Sequence, residues 1–104
     1  MTEYCIIFTT ANEAKQVRNI TNALLSARLA ACVQIVPICS TYHWKGEVEN
    51  SPETLLQIKT RTALFDQCEK IIRENHSYET PQIIAIPIIA GGKDYLDWIK
   101  EETQ

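Results

Sequence analysis

The hydrophobic positions along the chain change period several times, and each change predicts an element of secondary structure. The segment "YCIIFTT" (4–10) is rich in β-branched and aromatic residues, as strands are, and Thr10 with Glu13 has the form of a helix capping box. The next segment predicts an amphipathic helix, because its apolar residues recur at steps of three and four. Those residues are Val17, Ile20, Leu24 and Ala27.

The middle of the chain alternates between apolar and polar residues, which is typical of strands. The segment "CVQIVPICSTYHW" (32–44) predicts one long strand, and Pro37, which has no N–H to donate, predicts a bulge or a sheet-edge position. Gly46 can adopt the positive φ of a tight turn, so we expect a hairpin there, with a three-residue loop. The returning strand is expected to place Leu56, Ile58 and Thr60 on one face and Leu55, Gln57 and Lys59 on the other.

The last third of the chain predicts a helix, a strand and a closing helix. An apolar stripe at helical spacing indicates a helix over 62–75, and the nearly continuous apolar run "QIIAIPIIA" (82–90) predicts a strand covered on both faces. The closing helix is "KDYLDWIKEE" (93–102). The order β-α-β-β-α-β-α predicts a single α+β domain over residues 1–104, with a ferredoxin-like split βαβ fold, an antiparallel sheet and a long hairpin.

The strands also predict an oligomer. Both long helices of a ferredoxin-like fold cover the same sheet face, so the two-sided apolar segments "CIIF" (5–8) and "IIAIPII" (83–89) need another cover. At ~3.3 Å per residue, the strand over 32–44 would span ~43 Å, whereas a globule of this size is about 33 Å across. The hairpin must therefore bend at Pro37 or project as an arm, and we expect it to pack on a neighbouring copy.

Composition excludes several classes of function. A net charge of -3 and a pI of about 5.3 argue against nucleic acid as a partner. The apolar run 83–90 is far shorter than the ~20 residues that span a bilayer, and "MTEYCIIF" lacks a basic region, so we expect a soluble, cytoplasmic protein with no membrane partner. The four cysteines, none in a CxxC pair, are expected to be free thiols, mostly buried. They are Cys5, Cys32, Cys39 and Cys68.

The sequence does not predict an enzyme. It contains no phosphate-binding loop and no zincin or nucleophile-elbow motif. Cys39 and His43 share a strand face as a nucleophile and base could, but four residues separate them by ~13 Å along a strand, which is too far for proton transfer.

Several motifs resemble the CutA divalent-cation tolerance proteins. They are "AACVQI" (30–35), Ser40-x-Tyr42-x-Trp44-x-Gly46 with Glu49, Lys59-Thr60, and His76-x-Tyr78-Glu79-x-Pro81. The resemblance implies a homotrimer with the ferredoxin-like fold, in which hairpin arms pair between subunits, and a role in the response to divalent ions such as copper. The chain departs from the family pattern at four positions. Gln34 stands where an asparagine is usual, and Ser77 stands where a proline is usual. In some members a metal-ligating cysteine stands at the position of Phe8, and a second histidine stands at the position of Asn75.

The segment "RENHSYETPQI" (73–83) contains the candidate metal ligands. His76 and Glu79, with donors from an adjacent subunit, are expected to bind Cu(II) or another divalent cation weakly, since imidazole and carboxylate suit such ions. His76 could instead be a helix-end residue, Glu79 could pair with a Lys or Arg, and the hydroxyl of Tyr78 could lie in water. The alternative function is a regulatory trimer that binds a small anion or a protein partner in its inter-subunit clefts without metal.

Three further residues are expected to make contacts in the assembly. Trp44 and Trp98 should pack in the core or at an interface, because indole rings bury a large area. Lys59 lies either on a solvated face or, as we expect, close to a carboxylate of the neighbouring subunit.

Overall fold

The strands and helices follow one another in the predicted order. The structure, a computed structural model, describes residues 2–104. Its strands and helices are β1 (Tyr4–Ala11), α1 (Ala14–Ser26), β2 (Cys32–Trp44), β3 (Glu47–Arg61), a short 3-10 turn (Thr62–Leu64), α2 (Phe65–Glu74), β4 (Ile83–Pro87) and α3 (Lys93–Glu102).

The four strands form one antiparallel sheet in the order β2-β3-β1-β4. This order, with α1 and α2 as the crossover helices, is the ferredoxin-like split βαβ arrangement, so the predicted α+β fold is confirmed. The sheet places β2 and β4 at its two edges. Pro37 is tolerated in β2 because an edge strand leaves one side of its backbone unpaired.

The core lies between the sheet and the two crossover helices. Alternate residues of β1 and β3, including Ile7, Leu56 and Ile58, are fully buried against Ile20 of α1 and Ile72 of α2. The predicted apolar stripes of both helices and the predicted inward face of β3 are therefore confirmed. Burying each such side chain contributes about 1.5–3 kcal/mol relative to leaving it in water.

The hairpin of β2 and β3 projects from the globule as a long arm. The pairing between the two strands runs without interruption from Cys32 to Trp44, and the longest dimension of the molecule is 44 Å. The predicted three-residue loop is wrong: Trp44 pairs with Glu47, which leaves a two-residue turn. Both turn residues, Lys45 (φ 51°) and Gly46 (φ 83°), have the positive φ of a type I′ turn, whose twist matches that of the flanking strands.

Two other expectations differ from the structure. The capping box is wrong because β1 continues to Ala11, so Thr10 is still in the strand and Glu13 is the residue that precedes α1, without a side-chain cap. The predicted strand over 82–90 is shortened to Ile83–Pro87. Within one chain it is not covered on both faces, since Ile84 is 48% exposed and Ile86 42% exposed.

The sheet face opposite α1 and α2 is only partly covered, and we call it the open face. Helix α3 contacts one end of it: Arg61 Nε donates to Thr103 Oγ1 at 2.9 Å, and Lys59 Nζ donates to the Tyr95 hydroxyl at 3.0 Å. Lys59 thus has a hydrogen-bond partner within its own chain, and its contact with a carboxylate of a neighbouring subunit stays a prediction. Trp98, which stacks on Tyr95, is still 37% exposed.

All four cysteines are free, as predicted. Cys5 and Cys68 are buried and Cys32 is half-buried, but Cys39 is exposed on the arm, where its thiol donates to Asn50 Oδ1 at 3.1 Å. The expectation of burial is therefore wrong for Cys39. Within residues 2–104, the helices are too short or too polar to cross a membrane.

Candidate functional site

A cleft lies between the arm and the body of the protein. Its walls are the arm, from Glu53 out to Trp44 beside the turn, the end of β1, and the loop between α2 and β4, which we call the His76 loop (residues 75–82). Its volume is about 620 Å³, within the range of small-molecule sites. The side chains that line it are mostly hydroxyl-bearing, aromatic or acidic: Thr10, Ser40, Tyr42, His43, Trp44, Glu53, Ser77, Tyr78, Glu79, Thr80 and Gln82.

The His76 loop is held in place at both ends. Where α2 ends, Asn75 Nδ2 donates to the carbonyl of Ile71 at 2.9 Å, and at the other end Pro81 is buried. Between them, Gln16 Nε2 of α1 donates to Ser77 Oγ at 2.7 Å. These contacts fix the backbone that carries the predicted ligands.

His76 makes a hydrogen bond through each ring nitrogen. Nε2 lies 2.6 Å from the carbonyl oxygen of Thr10, which can only accept, so Nε2 carries the proton. Nδ1 lies 3.2 Å from the backbone N–H of Tyr78, which can only donate, so Nδ1 is unprotonated. The two contacts together select the neutral Nε2–H tautomer. His76 is therefore more than a helix-end residue, because it joins the loop to the end of β1.

Tyr78 connects the loop to the arm. Its hydroxyl donates to Glu53 Oε2 at 2.6 Å, and its ring packs on the His76 imidazole with centroids 4.5 Å apart. Burial raises the pKa of Tyr78 well above its ordinary value, and the hydrogen bond to Glu53 and the negative charge of that residue raise it further. The alternative in which this hydroxyl lies in water is wrong.

Glu79 is exposed at the rim of the cleft. The alternative that it pairs with a lysine or arginine is not seen within residues 2–104, whose ion pairs involve other carboxylates. Its oxygens are therefore accessible to a cation. Over the same described residues, however, no three His, Cys, Asp or Glu side chains are grouped as a metal-binding set.

The tautomer of His76 decides which nitrogen could hold a metal. Metal-bound histidines usually donate their other ring N–H to a carbonyl or carboxylate, which fixes the ring. The Nε2–H bond to Thr10 already has that form, which leaves Nδ1 as the ligating atom. Binding would require Nδ1 to release the N–H of Tyr78, and a neutral hydrogen bond contributes about 0.5–1.5 kcal/mol. The residues thus fit a divalent cation, at a cost in affinity of roughly 2–12-fold.

Two contributors to the site were missed by the sequence interpretation. Glu53 lies 25 positions from Tyr78, and Thr10 contributes only its backbone carbonyl. The signal for Glu53 would have been the hairpin register, which pairs it with Ile38 at the base of the arm. That register depends on the loop length, which was predicted wrongly.

Comparisons with known proteins agree with the fold and the motifs. Residues 5–102 match the family model described as CutA1 divalent ion tolerance protein. The chain is 41% identical to the divalent-cation tolerance protein CutA of Thermus thermophilus, over 94% of this chain and 96% of that protein. It is 38% identical to the chloroplastic protein CutA of Arabidopsis thaliana, covering 95% of this chain but only 55% of that protein.

A solved structure shows the same agreement in three dimensions. The periplasmic divalent cation tolerance protein CutA from Archaeoglobus fulgidus superposes with a TM-score of 0.94 at 40% sequence identity. The match covers 97% of this chain and 99% of that one. The arm, the sheet and all three helices thus fall within the matched region.

Proposed function

The chain belongs to the CutA1 divalent ion tolerance family, and from this premise we propose that it binds Cu(II) or another divalent cation weakly, through Nδ1 of His76 and the carboxylate of Glu79. The role is binding in the response to such ions rather than catalysis. The relatives are described as acting in tolerance of divalent cations, and this proposal extends that role to the present chain.

The observation that carries the proposal is the anchored imidazole of His76. Its Nε2–H is held by the carbonyl of Thr10, and the other nitrogen is held only by one N–H bond of 3.2 Å. The exposed carboxylate of Glu79 follows three residues later on the same loop. A mixed nitrogen and oxygen set of this kind suits Cu(II) and Zn(II).

A homotrimer would complete both the ligand set and the sheet. One chain supplies fewer than three grouped ligands within residues 2–104, so donors from a neighbouring copy are needed for a tetrahedral or tetragonal site. The open face also carries apolar side chains, Ile84 and Ile86, that remain half-exposed in one chain. A cyclic assembly in which the arm of one copy contacts the body of the next would cover them.

We place the protein in the cytoplasm. The relatives are described as chloroplastic in one case and periplasmic in another, so the family works in several compartments. The support for the cytoplasm is the set of four free thiols, since oxidising compartments favour disulfides.

Calorimetric titration with Cu(II) and Zn(II) tests the metal site. We expect His76→Ala to weaken binding by more than about tenfold, because it removes the nitrogen donor. Glu101→Gln is the control, since it removes an exposed carboxylate on α3, outside the cleft, and should leave the affinity within about twofold. Equal affinity of wild type and His76→Ala, or equal weakening by both variants, would contradict the proposal.

A second function is favoured by one observation. Both ring nitrogens of His76 are hydrogen-bonded to backbone, which is the arrangement of a structural histidine. The corresponding function is a regulatory trimer that binds a small anion or a protein partner in its inter-subunit clefts, without metal. If neither metal binds below millimolar concentration, this second function takes precedence.

A further inference from the structure

The charge of the cleft favours a cationic ligand over an anion. Two carboxylates, Glu53 and Glu79, line it, and no lysine or arginine of residues 2–104 does. Neither carboxylate belongs to an ion pair within those residues. An anion would meet two negative charges here without a compensating cation, so the electrostatics oppose it.

The aromatic side chains reinforce the preference for a cation. The rings of Tyr42, Trp44 and Tyr78 line the same cleft, and the faces of such rings attract ammonium groups within about 6 Å. The chain itself shows this attraction, because Lys45 Nζ lies 5.5 Å from the centroid of the Trp44 ring. The indole at the rim of the cleft is therefore already in contact with one ammonium group.

The hydrogen-bonding groups of the cleft are also arranged for a donor ligand. Glu53 Oε2 accepts from Tyr78, which fixes the carboxylate and leaves Oε1 as an acceptor. A primary ammonium group has three N–H donors and no acceptor, which matches carboxylate and hydroxyl oxygens.

We infer that the cleft between the arm and the His76 loop binds a small organic cation with primary ammonium groups, of the diamine or polyamine class, held by Glu53 and Glu79 against the aromatic rings. The volume of about 620 Å³ exceeds what a bare metal ion requires and suits a molecule of this size. The inference does not depend on metal binding by His76, and it can be tested on metal-free protein.

The test is titration of the EDTA-treated, full-length protein with putrescine, spermidine and inorganic phosphate. Trp98→Phe leaves Trp44 as the single tryptophan, so its fluorescence reports on the cleft. We expect spermidine to bind with a submillimolar Kd and to change the Trp44 emission, while phosphate has no effect. Calorimetry on the unmodified protein provides a second measurement of the same Kd.

Charge-matched variants separate a specific site from general attraction. Glu53→Gln should weaken spermidine binding by about tenfold or more, because it removes a fixed charge-assisted acceptor. Glu101→Gln removes the same charge from an exposed position on α3, outside the cleft, and should change the Kd by less than about twofold. Glu79→Gln tests the second carboxylate without touching the bond between Glu53 and Tyr78.

Three outcomes would overturn the inference. They are the absence of binding of either amine at millimolar concentration, equal weakening by Glu101→Gln and Glu53→Gln, and tighter binding of phosphate than of spermidine. The failure of the metal titrations would leave the inference standing, because every measurement is made without metal.

Discussion

Removing the Tyr78 hydroxyl should destabilise the protein by an amount that can be estimated from its one hydrogen bond. The hydroxyl donates to Glu53 Oε2 at 2.6 Å, and a hydrogen bond to a charged group contributes about 1.5–3 kcal/mol. Glu53 is half-buried, so water can replace part of the lost bond. We therefore expect Tyr78→Phe to lower the free energy of unfolding by about 1–2 kcal/mol.

Urea unfolding followed by circular dichroism measures this loss. For a domain of this size the denaturant slope is about 1–3 kcal/mol/M, so the midpoint should fall by roughly 0.3–2 M. The protein concentration must be the same for all variants, because dissociation of an oligomer makes the midpoint depend on it.

Tyr42→Phe is the matched control. Its hydroxyl is on the exposed arm and lies 3.4 Å from Ser51 Oγ, a long contact between neutral groups. We expect Tyr42→Phe to lower the free energy of unfolding by less than about 0.5 kcal/mol. If Tyr78→Phe costs no more than Tyr42→Phe, the Glu53–Tyr78 bond does not hold the His76 loop to the arm, and the description of the site is wrong.

Three other predictions concern the core, the arm and the assembly. Burial, with a contribution from Cys5, raises the pKa of Cys68 from 9.0 to about 12. The folded state therefore favours the protonated thiol, and the stability that this preference contributes is fully present below pH 9 and is lost as the pH rises toward 12. Urea unfolding should show that the free energy of unfolding falls by about 1.4 kcal/mol by about pH 10 because of this thiol, and Cys68→Ala should reduce that fall. If the free energy of unfolding of Cys68→Ala depends on pH as that of the wild type does, the raised pKa does not belong to Cys68. Gly46→Ala should lower the free energy of unfolding, measured by thermal unfolding, by about 1 kcal/mol. The cost comes from the positive φ of 83° alone, because the added methyl group meets no atom within 4 Å. Lys45→Ala should be nearly neutral, and equal effects of the two substitutions would be inconsistent with the turn. Light scattering should give three times the chain mass of 11.9 kDa, and a monomer mass would refute the trimer.

Local patterns were sufficient to predict the fold. The stripe of Val17, Ile20 and Leu24 and the alternation of Leu56 with Ile58 each follow from one period, and both are found in the core. The closing helix was predicted with the bounds that the structure shows, Lys93–Glu102.

The errors arose where the structure depends on contacts between residues that are distant in the sequence. Two- and three-residue hairpin loops are both compatible with a single glycine, so the sequence near Gly46 could not decide the register. The apolar character of Ile84 and Ile86 indicated that the second face of β4 needs a cover from another copy, and within one chain both side chains are half-exposed on the open face. The bond from Tyr78 to Glu53 joins residues that only the folded register brings together, and no short motif encodes it.

Nδ1 of His76 is the atom on which the proposed metal binding depends. The most direct test is a crystal structure of the protein grown with Zn(II), with anomalous diffraction recorded at the zinc edge. The account predicts an anomalous peak about 2.0–2.1 Å from Nδ1, with the Nε2–H bond to Thr10 retained. An ordered His76 whose Nδ1 still accepts from the N–H of Tyr78, with no anomalous peak beside it, would contradict the account.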